Sequence, residues 1–209
     1  ASDTQYDFHL PIGSLGKFFR NSVQDFDNHP TAYLKANESR VALLREKIYL
    51  ENHKICGVSW KSSNPVIGTE KSLSLDQLTP ILSEPNKLFI NLQYGETKQE
   101  TKRIFEERKI EIQSIAEIDN FSDIDGLAAL ISACDYIVTT SNVTAHIAGA
   151  LNKKTYLLLP YGSGKMWYWG ESSKGSLWYP SLEIYRSPNS GLWAQAIESL
   201  SKKIRAMNE

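Results

Sequence analysis

Apolar positions run along this chain in two alternating rhythms. Four short stretches are apolar nearly throughout: "KICGVSW" (54–60), "KLFINLQ" (87–93), "DYIVTT" (135–140) and "KTYLLLP" (154–160). Their length and composition suit strands buried on both faces. "EIQSI" (111–115) and "SLEIYR" (181–186) read as weaker strands. The segments between them carry helical spacing. Helices are predicted over 74–82, with Pro80 near its end, over a charged and exposed 96–109, and over 123–134 and 143–151. A last amphipathic helix spans 189–207, with Leu192, Ala196, Leu200 and Ile204 along one stripe. Buried strands alternating with helices predict an α/β, Rossmann-like doubly wound parallel sheet of five or six strands. Upstream, residues 30–52 have helical spacing, with Leu43, Leu44 and Ile48 on one face and Asn37 or Ser39 as the cap. Residues 1–50 complete no βαβ unit. They are expected to be a helical and irregular appendage, the tail of a preceding domain and a linker helix, ahead of a Rossmann-like domain over 51–209.

Composition narrows the function classes. With 209 residues and a formal net charge of -1, the chain gives no electrostatic reason to bind nucleic acid or a membrane surface. No apolar run is long enough to span a bilayer, and "ASDTQYDFHLPIGSLGKFF" has no signal-peptide pattern. Cys56 and Cys134 lie in apolar segments and form no C-x-x-C pair, as expected of reduced thiols in a cytoplasmic protein. Four scattered histidines offer no zinc cluster, and no metal is expected.

Ligands of open α/β sheets bind beyond the carboxyl ends of the strands, so the strand-to-helix turns are the places to look. The turn "SWKSSNPVIGTEKS" offers Lys61, Ser62, Ser63, Asn64 and, further on, Lys71 and Ser72. A lysine among hydroxyls and free amides is phosphate chemistry, although no P-loop is present and a solvated loop is the plainer reading. In "NLQYGE", Gln93 carries donor and acceptors for a base edge or sugar hydroxyl, and Gly95 admits close backbone approach. In "TTSNVTAHIAGAL", Ser141 or Asn142 can cap the helix over 143–151, whose amino end would stabilise a diphosphate; His146 lies in the first turn of that helix. The loop 160–180 holds three tryptophans, three tyrosines and Gly162, Gly164, Gly170 and Gly175. Its aromatic residues suit either a base or sugar ring, or an Ω-loop packing its own rings over the sheet. No turn offers a Ser–His–Asp set, a carboxylate pair or a nucleophile elbow, and Glu171, Asp123 and Asp125 stand isolated.

The blocks "GVSWKSSNP", "KSLSLDQL", "INLQYGE", "FSDIDGLAALISACDYIVTTSNVTAHIAGALNKKTYLLLP", "WYWGESSKGSLWYPSLEIYR" and "WAQAIESLSKKI" follow one another over residues 55 to 205. In that order they resemble the C-terminal half of GT-B glycosyltransferases, specifically the heptosyltransferase-like domains that follow tetratricopeptide repeats in bacterial proteins. "DFHLPIGSLGKFF" resembles the segment before the interdomain linker. The resemblance implies a nucleotide-diphosphate-sugar donor as substrate, no further cofactor, and inverting, metal-independent transfer. It implies donor-phosphate contacts from Lys61, Ser62, Ser141, Asn142, Val143, Thr144 and His146, and nucleoside or sugar contacts from Gln93, Tyr94 and Gly162. A saccharide or protein acceptor, and an N-terminal GT-B half or tetratricopeptide repeats in a longer chain, are the implied partners. Many heptosyltransferases carry an Asp-Thr pair where this chain has Ser141-Asn142. The catalytic base, usually supplied by the N-terminal half, is unidentified. A non-catalytic interaction module and a nucleotide-sugar epimerase relative are the competing expectations.

Overall fold

The computed structural model describes residues 7–27, 30–162, 166–170, 175–189 and 192–207. Gly164 and Glu171, singled out in the sequence, lie outside the described residues. The chain divides into two compact units, Ala1–Pro30 and Thr31–Glu209. In the first, single-turn 3-10 helices at Ile12–Ser14 and Val23–Phe26 flank helix α1 (Gly16–Phe19). The Asp25 carboxylate closes the second of these turns by accepting from the Asn21 and Ser22 amides, at 2.7 and 2.8 Å.

The second unit contains one six-stranded sheet. Its strands are β1 (Lys54–Ser59), β2 (Lys87–Asn91), β3 (Ile112–Gln113), β4 (Tyr136–Thr140), β5 (Thr155–Leu159) and β6 (Leu182–Arg186). They lie in the order β3-β2-β1-β4-β5-β6 and every neighbouring pair is parallel. This is a doubly wound Rossmann-like α/β fold, as the strand rhythm predicts. The strand order reverses between β1 and β4, where Ser59 pairs with Thr139.

Strand periodicity sorts the core onto two faces. Cys56, Val58, Tyr136, Val138, Tyr156 and Leu158 point to one side. There they pack on α4 (Leu75–Leu82), α8 (Trp193–Ala206) and Ile104 of α5 (Lys98–Arg108). Ile55, Ile90 and Ile137 point to the other side, against α6 (Ile124–Ala133), α2 (Glu38–Ile48) and α7 (Val143–Ala150). The compact unit thus begins at Thr31, not near residue 51, and α2 belongs to its core through Leu44 and Ile48. Arg40 and Arg45 of α2 reinforce this by pairing with Asp123 and Asp135. Of the two expected caps it is Asn37 that starts α2, accepting from the Arg40 amide at 3.0 Å.

Two further details depart from the expected pattern. Leu192 is 53% exposed and Trp193 takes its place on the buried stripe of α8. A one-turn helix, α3 (Gly68–Lys71), interrupts the loop after β1, and Lys71 at its end is buried.

Candidate functional site

The mouth of the site lies at the carboxyl ends of β1 and β4, the position that this topology opens for ligands. Asn142 ties the two strands together there. Its Oδ1 accepts from the Thr144 amide at 3.0 Å, capping α7, and from the Thr139 hydroxyl at 3.1 Å. Its Nδ2 donates across to Ser59 Oγ at 3.1 Å and to the Lys61 carbonyl at 3.2 Å. Ser59 Oγ and Thr139 Oγ1 close the knot at 2.6 Å. Every amide atom of Asn142 is therefore in use, and the residue builds the seat.

The turn after β1 is held equally firmly from β2. Gln93 is buried, and its Oε1 accepts from both the Trp60 and Lys61 amides at 2.8 Å. Its Nε2 donates to the Tyr94 carbonyl at 3.2 Å. The Tyr94 hydroxyl accepts from the Ser63 amide at 2.8 Å. The Ser62 amide donates to Ser72 Oγ at 3.0 Å. Gln93 and Tyr94 thus shape the loop, with Tyr94 half-buried at its edge.

The two lysines of this loop differ in a way the sequence does not announce. Lys61 pairs with Glu100 of α5, which also accepts from Trp60 Nε1 at 3.1 Å. Its charge is therefore compensated within the fold. Lys71 is only 6% exposed, and no hydrogen bond or ion pair meets its ammonium among the described residues. Burial holds its pKa below the usual lysine range. An unpaired cation in such a place gains from an anion in a way that an already paired one does not.

His146 is half-buried in the first turn of α7. Burial, with the Lys71 charge second, depresses its pKa to about 4, so the imidazole is neutral at neutral pH. Rings hold it on several sides. Trp169 stacks on it at 4.7 Å between centroids, and Tyr168 and Tyr179 meet it edge-on at 5.0 and 5.8 Å. The Tyr179 hydroxyl lies 3.1 Å from Nδ1. Tyr179 in turn lies flat on Gly149, where a Cβ would come within 2.7 Å of Tyr179 Cδ1.

The remaining residues named from sequence fall into place around this centre. Ser141 is buried and accepts the Trp169 Nε1–H at 2.9 Å, so its hydroxyl anchors the aromatic loop. Thr144 is fully buried and its hydroxyl has no hydrogen-bond partner among the described residues. Val143, 42% exposed, opens the helix at the surface. Gly162 follows β5 with φ +86, a left-handed turn that brings the start of the aromatic loop beside Glu70 of α3. The rings of the loop divide: Trp169 is fully buried, whereas Trp167 is 76% and Tyr161 54% exposed. Glu100 and Tyr179 carried no sequence signal; one looked like an exposed helix charge and the other like one ring among many. Among the described residues, no group of three or more His, Cys, Asp or Glu side chains is placed to hold a metal ion. Nor is any helix there long and apolar enough to cross a membrane.

Comparison with known proteins shows that the fold is shared with solved glycosyltransferases. No protein-family profile matches the chain. The family 9 glycosyl transferase of Veillonella parvula superposes with a TM-score of 0.60 at 10% identity, over 87% of this chain and 55% of that one. The Escherichia coli ADP-heptose lipopolysaccharide heptosyltransferase II superposes with a TM-score of 0.59 at 15% identity, over 91% of this chain and 57% of that one. E. coli heptosyltransferase WaaC, solved with ADP, gives a TM-score of 0.52 at 9% identity. At such identities the likeness establishes the fold. In sequence, the chain is 27% identical over 203 residues to Protein FlbA of Caulobacter vibrioides. It spans 33% of that relative's length, and a little over half of the solved transferases.

Proposed function

We propose that this chain is the donor-binding lobe of an inverting, metal-independent glycosyltransferase, taking a nucleoside-diphosphate sugar within a longer cytoplasmic protein. The observation that carries the reading is Lys71, a lysine 6% exposed at the end of α3 in the loop after β1, with no hydrogen-bond or ion-pair partner among the described residues. Its chemistry fits the departure of a nucleoside diphosphate. Negative charge accumulates on the leaving phosphate as the glycosidic bond breaks. Lys71 and the positive end of α7 would stabilise that charge, and neutral His146 would donate an N–H hydrogen bond without transferring its proton. Ser141, Asn142, Gln93 and Tyr94 would act by holding the seat in shape, and Lys61 by tethering the loop to Glu100. The acceptor, saccharide or protein, and the base that activates it would come from elsewhere in the full protein, an N-terminal lobe or a repeat segment.

Calorimetry with UDP, GDP and ADP tests this. At least one should bind, Lys71→Ala should weaken it about tenfold or more, and Lys61→Ala should matter less. Failure of all three nucleotides to bind at millimolar concentration would refute a donor site. The second reading is a non-catalytic interaction module, favoured by the exposed rings of Trp167 and Tyr161. Nucleotide binding lost in Lys71→Ala but untouched in Trp167→Ala favours the donor site over it.

A further inference from the structure

The segment that leads into the sheet unit reaches the site's histidine through two tyrosines. The Tyr33 and Leu34 amides both donate to the carbonyl of Ala150, the last residue of α7, at 2.7 and 3.0 Å. The Tyr33 hydroxyl donates to the Trp178 carbonyl at 2.8 Å, and its ring meets Tyr179 edge-on at 6.1 Å. Tyr179, seated on Gly149, then brings its own hydroxyl to His146 Nδ1 at 3.1 Å. Tyr33 thus grips both the end of α7 and the loop that approaches the beginning of α7.

We propose that Tyr33 is a positioning residue for His146: by fixing the Trp178–Tyr179 backbone it holds the Tyr179 hydroxyl on Nδ1 as a donor, so that Nε2 keeps the proton. A neutral imidazole offers one donor and one acceptor, and a partner on one nitrogen decides the role of the other. Burial pushes the Tyr179 phenol up, so its hydroxyl keeps its proton and remains able to donate. The Nε2–H is then the group available to an oxygen acceptor, a phosphoryl or sugar oxygen on the reading above, on which this inference builds. The segment in front of α2 and the ligand seat become mechanically linked: displacement of residues 31–34 would release Tyr179 and with it the tautomer. No movement of α7 itself is needed.

The experiment is nitrogen NMR of the imidazoles at neutral pH, without nucleotide, with the His146 signals assigned by their loss in His146→Gln. The wild type should show one neutral tautomer, with widely separated signals for a bare Nδ1 and a protonated Nε2. Tyr179→Phe, which keeps the ring, should draw the two signals together as the tautomers mix. Tyr33→Ala should do the same in part, and Tyr33→Phe less, because it keeps the edge contact. Amide spectra confirm that each variant is folded. A wild-type Nδ1–H tautomer, or His146 signals unmoved in folded Tyr33→Ala and Tyr179→Phe, would overturn the proposal. Because no nucleotide is present, failure of nucleotides to bind refutes the donor-site reading separately and leaves this measurement standing.

Discussion

Replacing Asn142 by alanine removes the knot between β1 and β4, and its cost can be worked from the contacts. The side chain caps α7 through the Thr144 amide, and losing such a cap costs about 1 kcal/mol. It also donates to Ser59 Oγ and the Lys61 carbonyl, both deep in the mouth of the site. Ser59 keeps Thr139 and the Lys61 carbonyl keeps a long contact from Tyr94, so each loss sits near an ordinary hydrogen bond, about 1 kcal/mol. The sum is about 3 kcal/mol, a large share of the roughly 5–15 kcal/mol that holds a typical domain together. For a unit of this size it lowers the melting temperature by about 6–12 °C. Urea unfolding followed by far-UV circular dichroism measures it as a shift in midpoint at constant slope. Asn142→Ser restores the cap alone and should recover about 1 kcal/mol. A loss below about 1 kcal/mol in Asn142→Ala, or a serine variant no better than alanine, would refute the account of Asn142 as a bridge between the strands.

Other outcomes follow from the same geometry. Lys71→Met replaces a lysine 6% exposed, and without a partner among the described residues, by an apolar chain of similar length and should leave stability unchanged or raise it, while abolishing pyrophosphate binding by calorimetry. A marked loss of stability would mean that the ammonium has a partner within the fold. His146 is disfavoured as a cation in the folded state, so its contribution is fully present above the ordinary histidine pKa near 6.5 and is lost as pH falls toward about 4. The bound is about 3 kcal/mol, read as a difference between wild type and His146→Gln in urea titrations at pH 7 and pH 4. Equal losses in the two proteins would contradict a neutral, buried imidazole. Gly149→Ala should cost about 1–3 kcal/mol by pushing the Tyr179 ring off α7, and the same variant should perturb the His146 signals. Trp169→Phe removes the donor to Ser141 and should loosen residues 166–170, seen as faster amide exchange there.

Periodicity alone specified most of the architecture. Strands apolar on both faces that alternate with helices suit a layered α/β fold, so "KICGVSW", "KLFINLQ", "DYIVTT" and "KTYLLLP" locate the parallel sheet before any contact is known. A cap at Ser141 or Asn142 was legible for a similar reason, since a short polar side chain between a buried strand and an apolar helix has a local job; the structure gives it to Asn142. The appendage boundary was not legible. Whether a helix such as α2 packs on the sheet depends on Leu44 and Ile48 meeting α6, and on Arg40 and Arg45 finding Asp123 and Asp135 more than 80 residues away.

The chemistry of the site was decided in the same long-range way. In sequence Lys61 and Lys71 share one loop, and the family resemblance points to Lys61 as the phosphate contact. In the folded chain Glu100, 39 residues beyond Lys61, takes one charge, and the other lysine is buried without a partner among the described residues. Gln93 looks free to read a base edge until its carbonyl is found on the Trp60 and Lys61 amides. Ser141 looks like a phosphate hydroxyl until Trp169 is found on it. The sequence by itself determined where the strand-to-helix turns fall, because helix starts and strand ends are local patterns. Only the tertiary structure decided which side chains remain unspent there, because pairing and desolvation are set by residues that meet only when the chain has folded.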